Sequence, residues 1–375
     1  METEVTSTST TDGGPVRLTI VVPTYREAEN VPTLLERIET ALRDSSVRWD
    51  AIIVDDNSAD GIEECIAEQQ RLGRPVRLVV RKDERGLSSA VIRGFREAEG
   101  DVLLCMDADL SHPPERIADM MARFREPGVD FVIGSRYVPG ASTEEGWGVF
   151  RWLNSRGATL LARPLCRARD PMSGFFALRR ETFQGAAPLD PVGYKIGLEL
   201  MVKCRCRAVR EVPIHFANRT RGQSKLSLRE QVNYLRHIRR LANFRLGMVA
   251  QFLQFCLVGG AGAFVDLATY ATLRAGGLHL YGARALAIWL AMTFNFALNR
   301  RLTFSYSRAG AIVPQYLRFV ATCSVGALVN WSLSVLLTGQ VEFFREHIFL
   351  AAVCGILAGT IFNFTASYLW AFRRQ

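Results

Sequence analysis

Short apolar runs alternate with amphipathic segments through the first two thirds of the chain. Short runs bounded by polar turns are typical of buried strands, and apolar positions at helical spacing indicate helices. The strands are predicted at 17–22, 51–54, 76–80, 101–106 and 129–133, and the helices at 31–42, 61–72, 87–98 and 113–124. This alternation predicts an α/β fold with a mostly parallel sheet. Such sheets bind ligands beyond the carboxyl ends of their strands.

The last third of the chain is largely apolar. Four runs approach the ~20 residues that a helix needs to cross a bilayer. They lie at 248–273, 281–298, 316–337 and 347–372. We therefore predict an all-α domain with four transmembrane helices. The alternative, four buried helices of a large soluble core, would leave too little polar surface.

This apolar third also looks internally duplicated. Phe294-Asn295-Phe296 matches Phe362-Asn363-Phe364, and each Asn is followed nine positions later by a phenylalanine. The repeat predicts two helical hairpins of the same kind. Asp266 lies inside the first span, where a charged side chain is costly, so it marks either a functional position or a contact between helices.

The distribution of positive charge predicts how the chain is oriented in the membrane. The 46 basic and 37 acidic residues give a net charge of +9, and the arginines cluster at 236–245, 300–308 and 373–374. By the positive-inside rule, both termini are predicted to be cytoplasmic. The amphipathic segment 228–246 is predicted to lie on anionic headgroups, with an ordinary core helix as the alternative.

The predicted organisation has four parts. Residues 1–15 are Thr/Ser-rich and acidic, lack the basic start and apolar core of a signal peptide, and are expected to form a disordered tail. Residues 16–227 form the α/β domain, residues 228–247 contain the interfacial helix, and residues 248–375 form the membrane domain.

Acidic clusters follow two of the predicted strands. Asp107-Ala108-Asp109, with Ser111 close behind, offers hard oxygen ligands to Mg²⁺ or Mn²⁺, which would stabilise the charge of a leaving diphosphate. Two aspartates one residue apart also occur in solvated turns. Asp55, Asp56 and Asp60 can accept hydrogen bonds from a ribose or a base, or cap the following helix.

A third cluster is positively charged. Five cations lie between the sheet and the membrane spans: Arg136, Arg151, Lys195, Arg219 and Lys225. Arginine presents a planar fork to phosphate, and lysine a point charge. Since the chain has many arginines, an ordinary surface position is the alternative for each one taken alone.

The motifs together resemble a known family. They are Val22-Pro23-Thr24-Tyr25 with Glu27, Asp55-Asp56-Asn57-Ser58, Arg85-Gly86-Leu87, Asp107-Ala108-Asp109-Leu110-Ser111-His112, Gly134-Ser135-Arg136, Ser173-Gly174-Phe175, Gly193-Tyr194-Lys195 and Glu211-Val212-Pro213-Ile214. In this order, over residues 17–226, they resemble glycosyltransferase family 2, and within it the dolichol- or polyprenol-phosphate mannose synthases. The membrane part is similar to GtrA-like four-helix domains.

The resemblance implies a GT-A-type, Rossmann-like domain that transfers mannose from GDP-mannose to a polyprenyl monophosphate with inversion. It implies that the nucleotide sugar contacts Pro23, Tyr25, Glu27, Val54, Asp56, Asp107, Ala108, Asp109, Lys195, Arg219 and Lys225. Asp107 and Asp109 would hold Mg²⁺ or Mn²⁺, with Ser111 at a place where the family often has Gln. Arg136, Arg151 and Ser155 would grip the acceptor phosphate, and catalysis would rest on Asp107, Asp109 and Arg136.

The expected partners are therefore GDP-mannose, a polyprenyl or dolichyl monophosphate and the bilayer, with a homo-oligomer left open and no nucleic acid. Two alternatives remain at this point. The donor sugar could be glucose or another sugar, carried by UDP or another nucleotide. Alternatively, the membrane domain could translocate a lipid-linked sugar, with the first domain only recruiting it.

Overall fold

The computed structural model describes the backbone of residues 16–143, 149–190, 192–193, 195–217 and 228–373, and the side chains of these residues except 149–155 and 228–229. The chain divides between Arg245 and Leu246 into two compact units. The first holds the predicted α/β domain together with the amphipathic segment, and the second holds the apolar third.

A seven-stranded sheet forms the centre of the first unit. The strands of this unit are β1 (Arg17–Thr24), β2 (Arg48–Asp55), β3 (Val76–Val80), β4 (Val102–Cys105), β5 (Phe131–Ser135), β6 (Ser142–Thr143), β7 (Phe176–Arg179), β8 (Val209–Pro213) and β9 (His215–Phe216). The large sheet has the order β3-β2-β1-β4-β7-β5-β8, and β6 pairs with β9 in a separate ribbon. All neighbours in the large sheet are parallel except β7, which runs antiparallel to β4 and β5. The mostly parallel sheet predicted from the sequence is confirmed.

Helices cover both faces of this sheet. They are α1 (Val31–Leu42), α2 (Ile62–Arg71), α3 (Leu87–Glu97), α4 (Ile117–Arg123), α5 (Val149–Ala162), α6 (Arg180–Gln184), α7 (Ile196–Lys203) and α8 (Leu228–Leu246). Alternate residues of each strand point to opposite faces. Accordingly, Ile20 and Ile53 pack with α1, α2 and α4 in one core, and Val21 and Ile52 pack with α3 and α7 in the other.

The amphipathic segment forms helix α8 with the predicted bounds, but its apolar residues divide between two surroundings. Leu241 is buried and Ile238 packs beside it in the core under α3 and α7. Val232 and Leu235 remain exposed. Helix α8 is therefore part of the first unit's core, and its predicted contact with headgroups concerns only the exposed residues and stays a prediction.

Four long helices form the second unit. They are α9 (Met248–Ala275), α10 (Leu280–Leu298), α11 (Ile312–Gln340) and α13 (Ile348–Ala366), with a short α12 (Glu342–Glu346) before the last. Among the described residues, three helices are long and apolar enough to cross a membrane by length and composition: Met248–Ala275, Ile312–Gln340 and Ile348–Ala371. Helix α10 has 19 residues, but Arg284 and Asn295 lower its mean hydropathy, so it falls outside this group. Its membrane crossing stays a prediction.

The predicted duplication is visible in the packing. A Cβ atom built on Gly262 would lie 2.1 Å from Oδ1 of Asn295, and one built on Gly326 would lie 1.9 Å from Oδ1 of Asn363. A π-helical turn follows α10 and α13 alike, over Asn299–Thr303 and Ser367–Ala371. After these turns, the rings of Phe304 and Phe372 stack with their centroids 4.7 Å apart. Each hairpin thus has the same close contact between a glycine and an asparagine, and each ends in a π-helical turn.

Asp266 serves a contact between helices. One of its carboxylate oxygens accepts a hydrogen bond of 2.8 Å from Arg284 on α10. The side chain of Asp266 is largely buried, whereas that of Arg284 is half exposed. Of the two roles open at the sequence level, helix pairing is the one with an observed partner.

Candidate active site

The polar motifs converge on one edge of the large sheet. The parallel strands β1, β2, β3, β4 and β5 all end there, and the antiparallel β7 begins there. The pairing of Cys105 with Phe176, continued by two residues, sets Asp107 opposite Gly174. A Cβ on Gly174 would lie 3.3 Å from Cε1 of His112 and 3.5 Å from a carboxylate oxygen of Asp107, so the backbone of Gly174 lies close to both side chains.

The two aspartates after β4 are held in different ways. Asp109 is buried, and its Oδ1 accepts hydrogen bonds from the amide of Ser111 at 3.1 Å and from the Ser111 hydroxyl at 2.6 Å. Asp107 is more open, with its side chain 23% exposed. Asp109 is therefore fixed by Ser111, while Asp107 faces a more accessible space.

His112 supports the backbone of this motif. Its Nδ1 accepts a hydrogen bond of 3.0 Å from the amide of Asp107, which assigns the ring proton of the neutral form to Nε2. The ring is 2% exposed, stacks on Phe175 at 5.3 Å and meets Phe216 edge-on at 5.6 Å. No role for His112 is predicted from the sequence, although His112 lies inside the motif Asp107-Ala108-Asp109-Leu110-Ser111-His112.

The donor set fits a divalent cation that is shared with a ligand. Within the described ranges, no group of three or more His, Cys, Asp or Glu side chains is arranged to hold a metal ion. Asp107 and Asp109 supply carboxylate oxygens, and Mg²⁺ is often bound by one or two carboxylates together with substrate phosphates and water. The hydroxyl of Ser111 donates to Asp109, so its predicted place among the metal ligands stays a prediction.

The acidic cluster after β2 is mostly engaged within the protein. Asp55 is buried and accepts hydrogen bonds from Thr24 and from the amide and hydroxyl of Ser58. Asp56 forms an ion pair with Arg81, whose Nε lies 2.8 Å from Oδ1, and its Oδ2 accepts a bond of 2.7 Å from the amide of Gly86. Asp55 is therefore a turn residue, and Asp56 is fixed in place by its partner.

Arg81 is a site residue that sequence reasoning missed. Its side chain is only 5% exposed, and it also donates to the carbonyl of Gly86 at 2.9 Å and to the hydroxyl of Ser89 at 2.7 Å. It joins the end of β3 to the loop that leads into α3. In an arginine-rich chain, nothing in the local sequence marks it, except its position directly after a predicted strand.

The loop after β1 offers an exposed aromatic ring flanked by cations. Tyr25 is 46% exposed, and the guanidinium carbons of Arg26 and Arg85 lie 5.4 and 5.6 Å from the centre of its ring. Pro23 pairs with the buried Val54 in the β1–β2 register. The loop thus presents a flat, cation-flanked surface beside a rigid pair of strands.

Two further acidic residues shape the same loop. Glu27 accepts a hydrogen bond of 2.5 Å from the side chain of Asn30, just before α1. Asp60 accepts one of 3.0 Å from the amide of Ala28. Asp60 therefore ties the loop after β2 to the loop after β1. Ala108, between the two aspartates of the β4 motif, is buried.

Arg136 follows β5 and is locked to a buried carboxylate. Its backbone amide and Nε donate to Oδ2 of Asp170 at 3.0 and 2.8 Å, and its Nη2 donates to Oδ1 at 2.8 Å. Burial lowers the pKa of Arg136, but the hydrogen bonds and charge of Asp170 outweigh it and leave that pKa raised. The guanidinium of Arg136 is thus charged and held in one orientation.

Lys195 precedes α7 and belongs to the same electrostatic group. Burial, and secondly the charge of Arg136, lower the pKa of Lys195 to about 8, while Asp170 and Asp107 oppose the shift. Asp107 likewise acts on the pKa of Arg136. Asp107 therefore influences the pKa values of both Arg136 and Lys195, and the predicted joint role of these residues in binding phosphates stays a prediction.

Four predicted site residues cannot be compared with the structure. Arg219 and Lys225 lie outside the described residues, and Arg151 and Ser155 lie in α5 without described side chains. Asp170, which the analysis of the sequence missed, is itself held by Glu211, whose Oε1 accepts a bond of 3.0 Å from the Asp170 amide. Glu211 was quoted in a motif, whereas Asp170 had no signal beyond its position shortly before Ser173-Gly174-Phe175.

Two family models match the chain. The family model of glycosyl transferase family 2 matches residues 19–185, and that of the GtrA/DPMS transmembrane domain matches residues 254–373. A solved structure of glucosyl-3-phosphoglycerate synthase from Mycobacterium tuberculosis, in complex with Mn²⁺, UDP-glucose and phosphoglyceric acid, aligns with a TM-score of 0.47 and 20% identity, covering 62% of this chain and 80% of that one.

Three curated relatives share the name dolichol-phosphate mannosyltransferase. The dolichol-phosphate mannosyltransferase of Pyrococcus furiosus is 38% identical over 346 residues, which cover 91% of this chain and 95% of the relative. Those of Mycosarcoma maydis and Saccharomyces cerevisiae are 42% and 39% identical, covering 61% and 62% of this chain and 80% and 89% of theirs. The chain is therefore a membrane-bound glycosyltransferase that belongs to family 2 and, within it, to the dolichol-phosphate mannosyltransferases, with a GT-A-type domain followed by a GtrA/DPMS membrane domain.

Proposed function

We propose that the chain transfers mannose from GDP-mannose to a polyprenyl, dolichyl-type monophosphate, with inversion at the anomeric carbon. The single observation that carries this proposal is the placement of Asp107 and Asp109 after β4 at the same edge of the sheet as Arg136 after β5, where Asp107 also influences the pKa values of Arg136 and Lys195. A reaction between two phosphate-bearing substrates needs both an acidic metal site and clustered cations, because the substrates repel each other.

The donor site extends from β1 to β4. Pro23 and Val54 would form its floor, and Tyr25, with its flanking arginines, would stack on the base. Asp56 is already paired with Arg81, so it would position the loop at Gly86 as well as any contact with the ribose. Glu27 and Ala108 complete this donor set, and Arg219 and Lys225 would approach the diphosphate.

Asp107 and Asp109 would hold Mg²⁺ or Mn²⁺. The cation would neutralise the charge that develops on the departing nucleoside diphosphate. The two aspartates have unequal roles in this assignment, because Asp109 is fixed by Ser111 and Asp107 is more exposed.

Arg136 would orient the acceptor phosphate, assisted by Arg151 and Ser155, with Lys195 supplying a second positive charge. A lipid monophosphate is largely ionised at neutral pH, so it is a nucleophile without a general base. One of its oxygens forms the new bond to the anomeric carbon on the face opposite the diphosphate, and the bond to the diphosphate breaks with its electron pair. No proton has to move, and catalysis consists of alignment and charge neutralisation.

The reaction would take place at the cytoplasmic face of the membrane. Arginines precede α9 and follow α10, whereas the loop 276–279 between these helices has no arginine or lysine, and only Arg274 and Arg284 lie in the helices that flank it. This asymmetry supports cytoplasmic termini and a cytoplasmic catalytic unit. The full description is thus a multi-pass membrane enzyme with its first unit in the cytoplasm.

The test is a scan of nucleotide sugars against a polyprenyl phosphate, using the purified full-length chain in detergent with and without Mg²⁺ or Mn²⁺. We expect metal-dependent product only with GDP-mannose. Product from UDP-glucose at a comparable rate would contradict the donor assignment. Metal-free turnover would contradict the role of Asp107 and Asp109. Failure of Asp109→Ala to lower turnover would contradict it as well.

A further inference from the structure

A cationic cavity lies on the first unit close to Arg136. It has a volume of about 330 Å³ and is lined by Tyr137, Arg156, Thr159, Arg163 and Arg169. The ring of Tyr137 stands between it and the acceptor arginine: its centre lies 5.4 Å from the guanidinium carbon of Arg136 and 5.6 Å from that of Arg156. The cavity therefore adjoins the proposed acceptor site without sharing its arginine.

The lining is suited to an anion. Three of its five side chains are guanidinium groups, and the other two carry hydroxyls. Arg163 and Arg169 form no ion pair with any residue that the structure describes. Both oxygens of the nearby Glu211 carboxylate accept backbone amide hydrogens, from Arg169 and Asp170. Guanidinium groups without a carboxylate partner favour binding of phosphate, which they contact through two parallel hydrogen bonds.

Apolar side chains are exposed beside this cavity. Leu160 lies four residues after Arg156 and three before Arg163, which puts it on the same side of α5, and it is 65% exposed. Leu161 is also exposed, at 46%. The two exposed leucines can contact the apolar chains of a lipid, while the arginines of the cavity bind its phosphate.

The chain connects this part of the first unit to the first membrane-spanning helix through α8. Helix α8 packs against α5 through a hydrogen bond of 2.6 Å from the Tyr234 hydroxyl to the carbonyl of Ala158. It ends at Leu246, and only Gly247 separates it from α9, the first membrane-spanning helix. Val232 and Leu235 on α8 add exposed apolar area to that of α5.

From these observations we infer that the cavity binds the headgroup phosphate of an anionic bilayer phospholipid, whose chains lie along Leu160 and Leu161. Arg136, which we assign to the lipid acceptor, does not line the cavity. The bound phospholipid holds α5, the helix that carries Arg151 and Ser155, against the membrane surface. The inference does not depend on which sugar the enzyme transfers.

The test uses photoactivatable phosphatidylglycerol in nanodiscs that contain the full-length chain, followed by mass-spectrometric mapping of the labelled peptides. We expect labelling of the segment 156–169. The double variant Arg163→Gln/Arg169→Gln should lower it about tenfold, because two cations that hold the anionic headgroup are lost. Arg167→Gln, an exposed arginine of the same segment that does not line the cavity, should leave it unchanged.

Three outcomes would overturn the inference. Equal labelling of wild type and double variant would show that the arginines do not hold the lipid. Equal labelling by photoactivatable phosphatidylcholine would show that the headgroup charge is not read. Loss of labelling in millimolar inorganic phosphate would make the cavity a site for a free anion. Because no sugar donor is present, each result is independent of mannose transfer, and transfer to a water-soluble short-chain acceptor by the double variant serves as the control for folding.

Discussion

Asp170 fixes Arg136 with three hydrogen bonds, one to the backbone amide and two to the guanidinium group, at 2.8 to 3.0 Å. Asp170 is fully buried, and the arginine side chain is 12% exposed. A paired, buried arginine side chain keeps one orientation. In the proposed function, Asp170 is thus a positioning residue that acts on the acceptor phosphate through Arg136.

Replacing Asp170 by asparagine should raise the KM for the lipid phosphate about tenfold while changing the KM for the donor little. The neutral amide weakens two charge-assisted hydrogen bonds, and each 1.4 kcal/mol corresponds to a factor of ten. Steady-state kinetics with each substrate varied in turn would measure this difference.

The control is the same substitution in an Arg136→Ala background. If Asp170 acts through Arg136, the double variant has the acceptor KM of Arg136→Ala alone, because the group that Asp170 positions is already gone. A further increase of the acceptor KM in the double variant would instead indicate a general structural role, and thermal unfolding of all variants would separate loss of fold from loss of binding.

Ser111→Ala and Asp109→Ala should have different effects. Removing the carboxylate of Asp109 should lower kcat by about 10³-fold or more, since it removes several kcal/mol of charge stabilisation. Removing the Ser111 hydroxyl, which supports Asp109 at 2.6 Å, should raise the half-saturating metal concentration by roughly 10- to 100-fold and leave kcat near wild type at saturating metal. Titration of activity with Mn²⁺ would measure both, and a kcat for Ser111→Ala that stays low at saturating metal would argue for direct ligation.

The activity should fall as the pH rises through about 8. Burial and the charge of Arg136 lower the pKa of Lys195 to about 8, so the side chain is charged below this pH and neutral above it. Loss of the positive charge weakens attraction of the anionic substrates, and kcat/KM, which reports the free enzyme, should decrease on the alkaline side. Lys195→Arg, which stays protonated, should move this decrease to higher pH, and an unchanged alkaline limb in that variant would rule out Lys195 as its source.

Many strands and helices of the first unit could be predicted from the sequence, because the local pattern of apolar residues in each one agrees with the element that it forms. Helix α1 has the predicted bounds, and β2 is longer than the predicted 51–54 because its polar start pairs with β1 from Arg17 opposite Arg48. The prediction missed β7. Its four residues carry no periodic signal, and only pairing with β4 and β5 makes them a strand.

The site was predicted in part, for a similar reason. The residues proposed to contact the substrates lie in motifs directly after strands, so Asp107, Asp109 and Arg136 could be selected as site candidates from the sequence. Their internal partners, Arg81 and Asp170, come from distant segments, and a pairing such as Asp170 with Arg136 exists only after the sheet has formed. One sequence shows which side chains have the right chemistry, but not which of them neutralise each other.

The close helix contacts of the second unit predict a sharp steric effect. Gly262→Ala would place a Cβ atom 2.1 Å from Oδ1 of Asn295, and Gly326→Ala would place one 1.9 Å from Oδ1 of Asn363. In each variant, the two helices of the hairpin must move apart or the asparagine side chain must move. Such overpacking typically costs about 1–3 kcal/mol. Thermal unfolding of the detergent-solubilised chain, followed by size-exclusion chromatography, should show a lower melting temperature for both variants.

Gly260→Ala is the matched control, because a Cβ at Gly260 would meet nothing within 4 Å in the same helix. It should be neutral or slightly stabilising, since alanine favours a helix by about 1 kcal/mol over glycine. Adding Asn295→Ala to Gly262→Ala removes the atoms that clash and should restore part of the lost stability. If Gly262→Ala melts at the same temperature as Gly260→Ala, the two helices do not depend on this contact, and the asparagine repeat must serve something other than hairpin packing.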